Sequence, residues 1–284
     1  MVTPKTYKGI DLGYPYSFSR WTDVPAAKWP WLKEQLAQGW MLGFNPATGV
    51  PTRWSLRPED TLGLIFWTRS PENLLADAAL LAPYKVKVHM TVTGWHEVER
   101  GAPSMKEGSS WLRSLVGAFG EDNVSWRFSP VPMVDDVEDR FAYILDQAAD
   151  VRIRSVYLSF LQANDRVPEV RPAQDRYQLL GRLASMGKRK NVEVRLCNED
   201  RLLVGQSPVD NLCSAVCAPP QDFQQLGRDI PNSEGCGCIL MVDPFSINES
   251  CVFGCTYCYT ADQTTASHKR DTTKVKLPVL QGKP

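Results

Sequence analysis

Short apolar or aromatic stretches alternate with amphipathic helical stretches along most of this chain. That alternation limits the possible folds more than any other feature. Candidate strands lie at 15–20, 40–45, 62–68, 86–93, 123–128, 154–161, 192–197 and 238–243. Between them, Trp111, Leu112, Leu115, Val116 and Phe119 recur at helical spacing within 104–119, as do Phe141, Ile144, Leu145 and Ala148 within 137–149. Ser70-Pro71-Glu72 reads as an N-cap followed by proline at the first helical position, which predicts a helix over 71–82. A further helix over 171–187 carries Tyr177, Leu180 and Leu183. Near-continuous apolar strands separated by helices predict a parallel sheet. About eight such units in about 260 residues predict an α/β fold of the (β/α) barrel type.

The strands end in polar or reactive residues: Arg20, Asn45, Thr68, Thr93, Arg127, Gln162 and Cys197. In parallel α/β folds chemistry gathers at the carboxyl ends of strands, so together these suggest a pocket mouth, although any one strand end simply meets solvent. Residues 201–235 read as irregular and 260–284 as a polar tail. The predicted organisation is α/β barrel units over 1–200, a cysteine-rich segment over 201–259 that includes the last strand and folds over the barrel mouth, and a tail over 260–284.

Charge narrows the function classes. Lys plus Arg number 32 and Asp plus Glu number 32, so no broad basic face for duplex nucleic acid is expected, while a local groove stays open. An apolar content of 43% excludes disorder for the bulk. No stretch of about 18 apolar residues occurs, so no membrane span is expected. The first residues lack the apolar core of a signal peptide, which predicts a cytoplasmic protein; a monomer is expected.

All eight cysteines fall after residue 196: Cys197, Cys213, Cys217, Cys236, Cys238, Cys251, Cys255 and Cys258. Disulfide-dense chains are usually small and secreted, so this clustering points to metal. Cys251, Cys255 and Cys258 form C-x₃-C-x₂-C. Three thiolates leave one iron of a [4Fe–4S] cluster without a protein ligand, the open position that catalysis needs. Gly254 permits a tight loop there. Zinc is the alternative, but a fourth nearby ligand is lacking; His268 is ten residues on, in the polar tail.

With Tyr257 at the aromatic position, the motif resembles that of the radical S-adenosylmethionine superfamily. The resemblance implies that S-adenosylmethionine chelates the open iron. An electron from a flavodoxin- or ferredoxin-type donor then yields a 5′-deoxyadenosyl radical that abstracts a substrate hydrogen, and the backbone at Tyr257 contacts the adenine. In most of that superfamily the motif follows the first barrel strand, whereas here it follows the last. That implies a circularly permuted barrel, with 238–243 beside the N-terminal strand.

A fuller resemblance is to a bacterial and phage family catalogued as domain of unknown function 1848. It rests on SFSRWTDVPA (17–26), FWTRSP (66–71), TVTGW (91–95), WRFSPV (126–131), LSF (158–160), CNED (197–200) and CGCILMVDPFSINESCVFGCTYCY (236–259). Ser129 stands where that family leads one to expect Asp, and Cys213 is additional. Phage members resemble components of DNA-base hypermodification. That makes rearrangement (isomerisation) of an amino-acid-modified thymidine one expectation. Radical modification of a peptide or small metabolite is a second, and a non-catalytic iron–sulfur or zinc module a third.

Four further thiols, Cys197, Cys217, Cys236 and Cys238, would complete an auxiliary [4Fe–4S] cluster, with Cys213 as a substitute for Cys217; zinc or unligated thiols are the alternatives. Arg20 and Asp23 are candidates to contact S-adenosylmethionine or substrate, or else to form a local salt bridge and helix cap. Arg127 could bind a carboxylate or phosphate, or form an interlayer ion pair. Thr68, Arg69 and Thr93 are candidates of the same kind. Asp243 is expected to hold the cluster loop, and His89 and His96 to be structural. Trp21, Trp67, Trp95 and Trp126 either stack on a ring or fill the core.

Overall fold

A computed structural model describes residues 6–7, 10–11, 13–19, 22–45, 49–131, 134–161, 173–197, 211–223, 232, 237–244 and 251–258. The elements in chain order begin with β1 (Thr6–Tyr7), β2 (Ile10–Asp11), β3 (Pro15–Phe18), α1 (Val24–Ala27), α2 (Trp29–Gln38), β4 (Trp40–Phe44), β5 (Pro51–Ser55) and β6 (Gly63–Thr68). They continue with α3 (Glu72–Ala76), β7 (Val86–Thr91), α4 (Met105–Phe119), β8 (Val124–Val131), α5 (Val137–Asp150), β9 (Ser155–Phe160), α6 (Ala173–Arg189), β10 (Glu193–Leu196) and β11 (Leu212–Ser214).

Seven strands form one parallel sheet in the order β11-β10-β9-β8-β7-β6-β3. At its β3 edge, Ser17 N–H donates to Val242 O at 2.9 Å and Val242 N–H donates to Pro15 O at 3.0 Å, so the chain around 242 runs parallel to β3. The α/β class and the parallel sheet follow the expectation. Among the described residues no strand ladder joins β11 back to this segment.

One expected barrel strand belongs elsewhere. The 40–45 segment, β4, pairs antiparallel with β5 in a separate four-stranded sheet of order β1-β2-β5-β4. Its burial alternates along the strand, as suits a sheet with one covered face, whereas β6 and β9 are buried almost throughout. The two sheets meet where Phe44 N–H donates to Asp243 O at 3.1 Å. Gly43 makes that approach possible, since a Cβ there would lie 2.6 Å from Val242 Cγ1 and 2.8 Å from Asp243 O.

The helices at 104–119 and 137–149 form as expected. Ser104 and Glu107 close a capping box at the start of α4. Leu112 and Leu115 of α4, and Phe141, Ile144, Leu145 and Ala148 of α5, are buried against the sheet. The helix expected over 71–82 is shorter: Pro71, not Ser70, caps α3, and a 3₁₀ turn follows over Ala78–Leu81. The Ser70 hydroxyl faces the Glu72 carboxylate at 3.3 Å instead of a backbone N–H.

Strand alternation divides the sheet into two unlike faces. Leu64, Phe66, Val88, Met90, Trp126, Phe128, Val156 and Leu158 form the main core. At about 1.5–3 kcal/mol per buried large side chain, this face is the main source of stability. The opposite face presents Ile65, Trp67, Tyr157 and Cys197, which pack with Ala215, Cys217, Ala218, Phe223, Cys238, Ile239 and Met241. Polar groups interrupt it, among them His89 and Arg127. Among the described residues no helix is long and apolar enough to cross a membrane.

Candidate metal centre

The C-x₃-C-x₂-C loop, 251–258, lies over the carboxyl ends of β3, β6 and β7. Gly254 takes a left-handed φ of 56° within it. Cys258 N–H donates to Cys255 O at 3.2 Å, so the last two cysteines share a turn. None of the seven described cysteines is in a disulfide.

A buried polar knot holds this loop. Arg69, just past β6, donates to Glu99 through two parallel bonds, Nη1 to Oε2 at 2.8 Å and Nη2 to Oε1 at 2.7 Å. The Glu99 side chain is 0% exposed. Arg69 Nη2 also donates to the Tyr257 hydroxyl at 2.9 Å, and Tyr257 in turn donates to Glu99 Oε1. The Thr93 hydroxyl donates to Glu99 Oε2. The Tyr257 ring stacks on Trp95 with centroids 5.4 Å apart and an 18° interplanar angle. Burial, reinforced by the Glu99 charge, pushes the Tyr257 hydroxyl far above its ordinary value. Burial works against the charge of Arg69, but the neighbouring Tyr257, Glu99 and Cys255 hold it firmly protonated.

Backbone contacts add to the hold. Gly101 N–H donates to Phe253 O at 3.1 Å, and Thr256 N–H donates to Val98 O at 2.9 Å. Gly101 is required here, because a Cβ would lie 2.9 Å from the Phe253 backbone.

Asp23 ties the other end of the loop to the sheet. Its carboxylate caps α1 by accepting from Ala26 N–H at 3.1 Å. It also accepts from the Thr68 hydroxyl at 2.8 Å and from Arg69 N–H at 2.7 Å. Burial raises its carboxyl to about 6 despite these bonds. The Asp23 backbone N–H meets the Cys251 sulfur, whose thiol burial otherwise pushes up. Burial likewise pushes the Cys255 thiol up to about 11, against the pull of Arg69.

A second thiol group lies on the inner face of the sheet. Cys197 Sγ and Cys217 Sγ are 3.9 Å apart, and Cys238 bonds to Cys217. The Cys217 bond, with Arg127 nearby, holds the Cys197 thiol down, while its Cys197 and Cys238 neighbours and burial drive that of Cys217 up. Arg127 Nη1 donates to Cys217 Sγ at 3.3 Å. Burial disfavours the Arg127 charge, but the Cys217 and Cys197 sulfurs more than offset that. His89 Nε2 meets Cys217 O at 2.9 Å, and its ring stacks on Trp67. Burial, with Arg127 nearby, lowers His89 to about 3 and keeps it neutral. Cys213 shares this face through its register with Arg195 and Tyr157, but it donates to Glu193 Oε1 at 3.0 Å.

The structure therefore brings together Cys251, Cys255, Cys258, Tyr257, Asp23, Thr68 and Thr93 at one place. It brings Cys197, Cys217, Cys238 and Arg127 together at another. Arg127 points to sulfur, and no interlayer ion pair with a carboxylate is found for it among the described residues. Arg20, Cys236, Trp21 and Gln162 lie outside the described residues. Glu99 is the central residue that sequence reading missed. It lies beyond a strand end, in a stretch without periodicity, and its signal was only its spacing from the T-V-T-G-W segment.

The donor sets can be tested against the groups they were expected to hold. Among the described residues no three His, Cys, Asp or Glu side chains are gathered as a site for a single metal ion. That criterion does not test the loop thiols against a cluster, because thiolates on different irons need not share one coordination sphere. In the second group Cys197 and Cys217 alone stand at 3.9 Å, close to the edge of about 3.8 Å of a zinc–thiolate tetrahedron, and no third described ligand completes a single-ion site with them.

A profile of the family described as "Domain of unknown function (DUF1848)" matches residues 16–260. No curated protein matches the chain. Among solved structures, the old yellow enzyme homologue from Zymomonas mobilis is similar at 12% identity with a TM-score of 0.34, over 57% of this chain and 54% of that one. The chain thus spans about half the length of that relative.

Proposed function

The chain belongs to the DUF1848 family, and on that premise we propose that it is a radical S-adenosylmethionine enzyme built on a circularly permuted α/β barrel. The observation that carries the reading is the placement of Cys251, Cys255 and Cys258 in one short loop over the carboxyl ends of β3, β6 and β7. Those three residues would hold a [4Fe–4S] cluster. When bound, with an open iron, it supplies the electron that cleaves S-adenosylmethionine and so provides a carbon radical for hydrogen abstraction. Arg69 and Glu99 orient Tyr257, whose side chain is fully engaged, so contact with an adenine at this position falls to its backbone. Asp23 fixes Cys251 through its N–H and fixes β6 through Thr68 and Arg69.

Cys197, Cys217 and Cys238, with Cys236 as the fourth ligand, form a second thiolate centre in this reading. The group it would hold is an auxiliary [4Fe–4S] cluster, with zinc as the competing reading. The substrate reading, isomerisation of an amino-acid-modified thymidine, rests on the resemblance of phage members of the family alone. A peptide or small metabolite is the competing substrate. The electron donor is of flavodoxin or ferredoxin type.

The test is anaerobic reconstitution followed by dithionite and S-adenosylmethionine. 5′-Deoxyadenosine should appear with the native protein and not with the triple Cys→Ala variant at 251, 255 and 258. Its absence from native protein with a confirmed cluster would sink the enzyme reading and leave a metal-binding module. Deuterium transfer into 5′-deoxyadenosine from labelled modified thymidine would identify the substrate, and transfer from none of the DNA-borne derivatives would remove that class.

A further inference from the structure

We propose that Glu99 is the positioning residue of the three-cysteine loop: it shapes 251–258 by gripping Tyr257, independently of any bound metal. The bonds that do this involve no thiol. Glu99 gathers Arg69, Thr93 and the Tyr257 hydroxyl onto one buried carboxylate. Thr256 N–H and Phe253 O bond to Val98 and Gly101, on either side of Glu99. The loop therefore has two independent tethers to 95–101, one through side chains and one through backbone. Both reach residues that separate or adjoin the cysteines: Phe253 between Cys251 and Cys255, and Thr256 and Tyr257 between Cys255 and Cys258.

Carboxylate and guanidinium are both taken from water here, with the Arg69 side chain 12% exposed and that of Glu99 0%. A buried pair of this kind is costly to half-break, because the surviving charge is stranded. The knot is therefore stiff, and it transmits that stiffness to Tyr257, which has Trp95 on one ring face. Arg69 also stands beside Cys255, so the same knot places a compensated cation next to one of the three thiols. The consequence for metal loading rests on the function proposed above; the ordering of the loop does not.

Hydrogen exchange on the metal-free full chain tests the ordering. In Glu99→Gln, exchange should rise about tenfold or more in 95–101 and 251–258, with β8 and β9 unchanged. Unchanged exchange in 251–258 would overturn the proposal. Should Glu99→Gln loosen β8 and β9 as well, Tyr257→Phe decides, since it removes only the hydroxyl and keeps the ring on Trp95. Faster exchange confined to the same two segments supports the proposal, and native exchange overturns it. A Glu99→Gln/Tyr257→Phe double variant should be no looser in 251–258 than Glu99→Gln alone; additive effects would mean that Glu99 does not act through Tyr257. After reconstitution, Glu99→Gln should lose iron to a chelator several-fold faster than native protein and shift the cluster midpoint potential, and equal retention with an unmoved potential would overturn the loading consequence. Native protein that takes up no cluster would sink the enzyme reading while exchange still decides the role of Glu99.

Discussion

Arg69 and Glu99 meet in a two-pronged ion pair at 2.8 and 2.7 Å, largely enclosed between the end of β6 and the loop after β7. The fork is specific to guanidinium, which offers two parallel donors where an ammonium offers a point charge. Arg69→Ala would leave the buried Glu99 without its cation, and should cost about 3–5 kcal/mol in denaturant unfolding. Arg69→Lys keeps the charge but cannot serve both Glu99 oxygens and Tyr257 together. It should fall between native and Arg69→Ala; stability equal to native would show that the fork has no special role.

The loop that carries Glu99 has a second anchor, and this one is sensitive to acid. Arg140 of α5 donates to Gly94 O at 2.5 Å and pairs with Glu97 at 2.9 Å and with Asp136 at 2.9 Å. The Arg140 bond lowers Glu97 from an ordinary 4.5 to about 2. A carboxylate depressed in this way stabilises the fold at pH values above about 4.5, and that contribution fades as pH falls towards about 2. The stability difference between native protein and Glu97→Gln should therefore be largest above pH 5 and vanish near pH 2. Because Glu97 is exposed, added salt should shrink it as well. A difference constant across this pH range would rule out the pairing.

Much of this architecture is readable from period alone. Strands such as 62–68 and 154–161 are apolar at successive positions because both faces are covered, and α4 and α5 announce their buried stripes through Leu112, Leu115, Phe141 and Ile144. The 40–45 segment misled because an apolar run of five or six residues does not reveal which sheet will receive it. β5 and β11 were missed for a related reason: Pro51–Ser55 is mostly polar, and Leu212–Ser214 is three residues long. At the candidate site the cysteine spacing was legible because ligand geometry is local. Glu99 was not, since its partners Arg69 and Tyr257 are 30 and 158 residues away in sequence. A buried ion pair between distant segments leaves no periodic trace.

On the function proposed above, the inner-face thiols load metal independently of the motif loop. Cys217 lies at the centre of that group, bonded to Cys197, Cys238 and Arg127. Cys217→Ala should therefore abolish metal at this group while leaving the metal content of the 251–258 set intact. Arg127→Gln removes a donor to a ligand sulfur and should weaken metal binding about 10–100-fold, as loss of an outer-shell partner does. Elemental analysis of each purified variant reads both effects. Loss of all metal in Cys217→Ala would mean that the two thiol groups do not load separately.

Gly43 offers a test of how the small sheet supports the motif segment. A Cβ at this position would sit 2.6 Å from Val242 Cγ1, 2.8 Å from Asp243 O and 3.0 Å from Trp54 Cδ1. Val242 could turn its methyl aside, but Asp243 O is backbone and is already held by Phe44 N–H. The added methyl must therefore push β4 away from 242–244, against the bond that joins the sheets. Overpacking of this kind costs about 1–3 kcal/mol. Val242 is also the partner of β3, so the displacement bears on Tyr16 and Ser17 and, through β3, on the neighbourhood of Asp23 and Cys251. Gly43→Ala should lower the denaturant midpoint and speed hydrogen exchange at Phe44 and Ser17, with Trp126 and Leu158 in the sheet centre unaffected. Native exchange at Ser17 would show that the small sheet and the motif segment are mechanically separate.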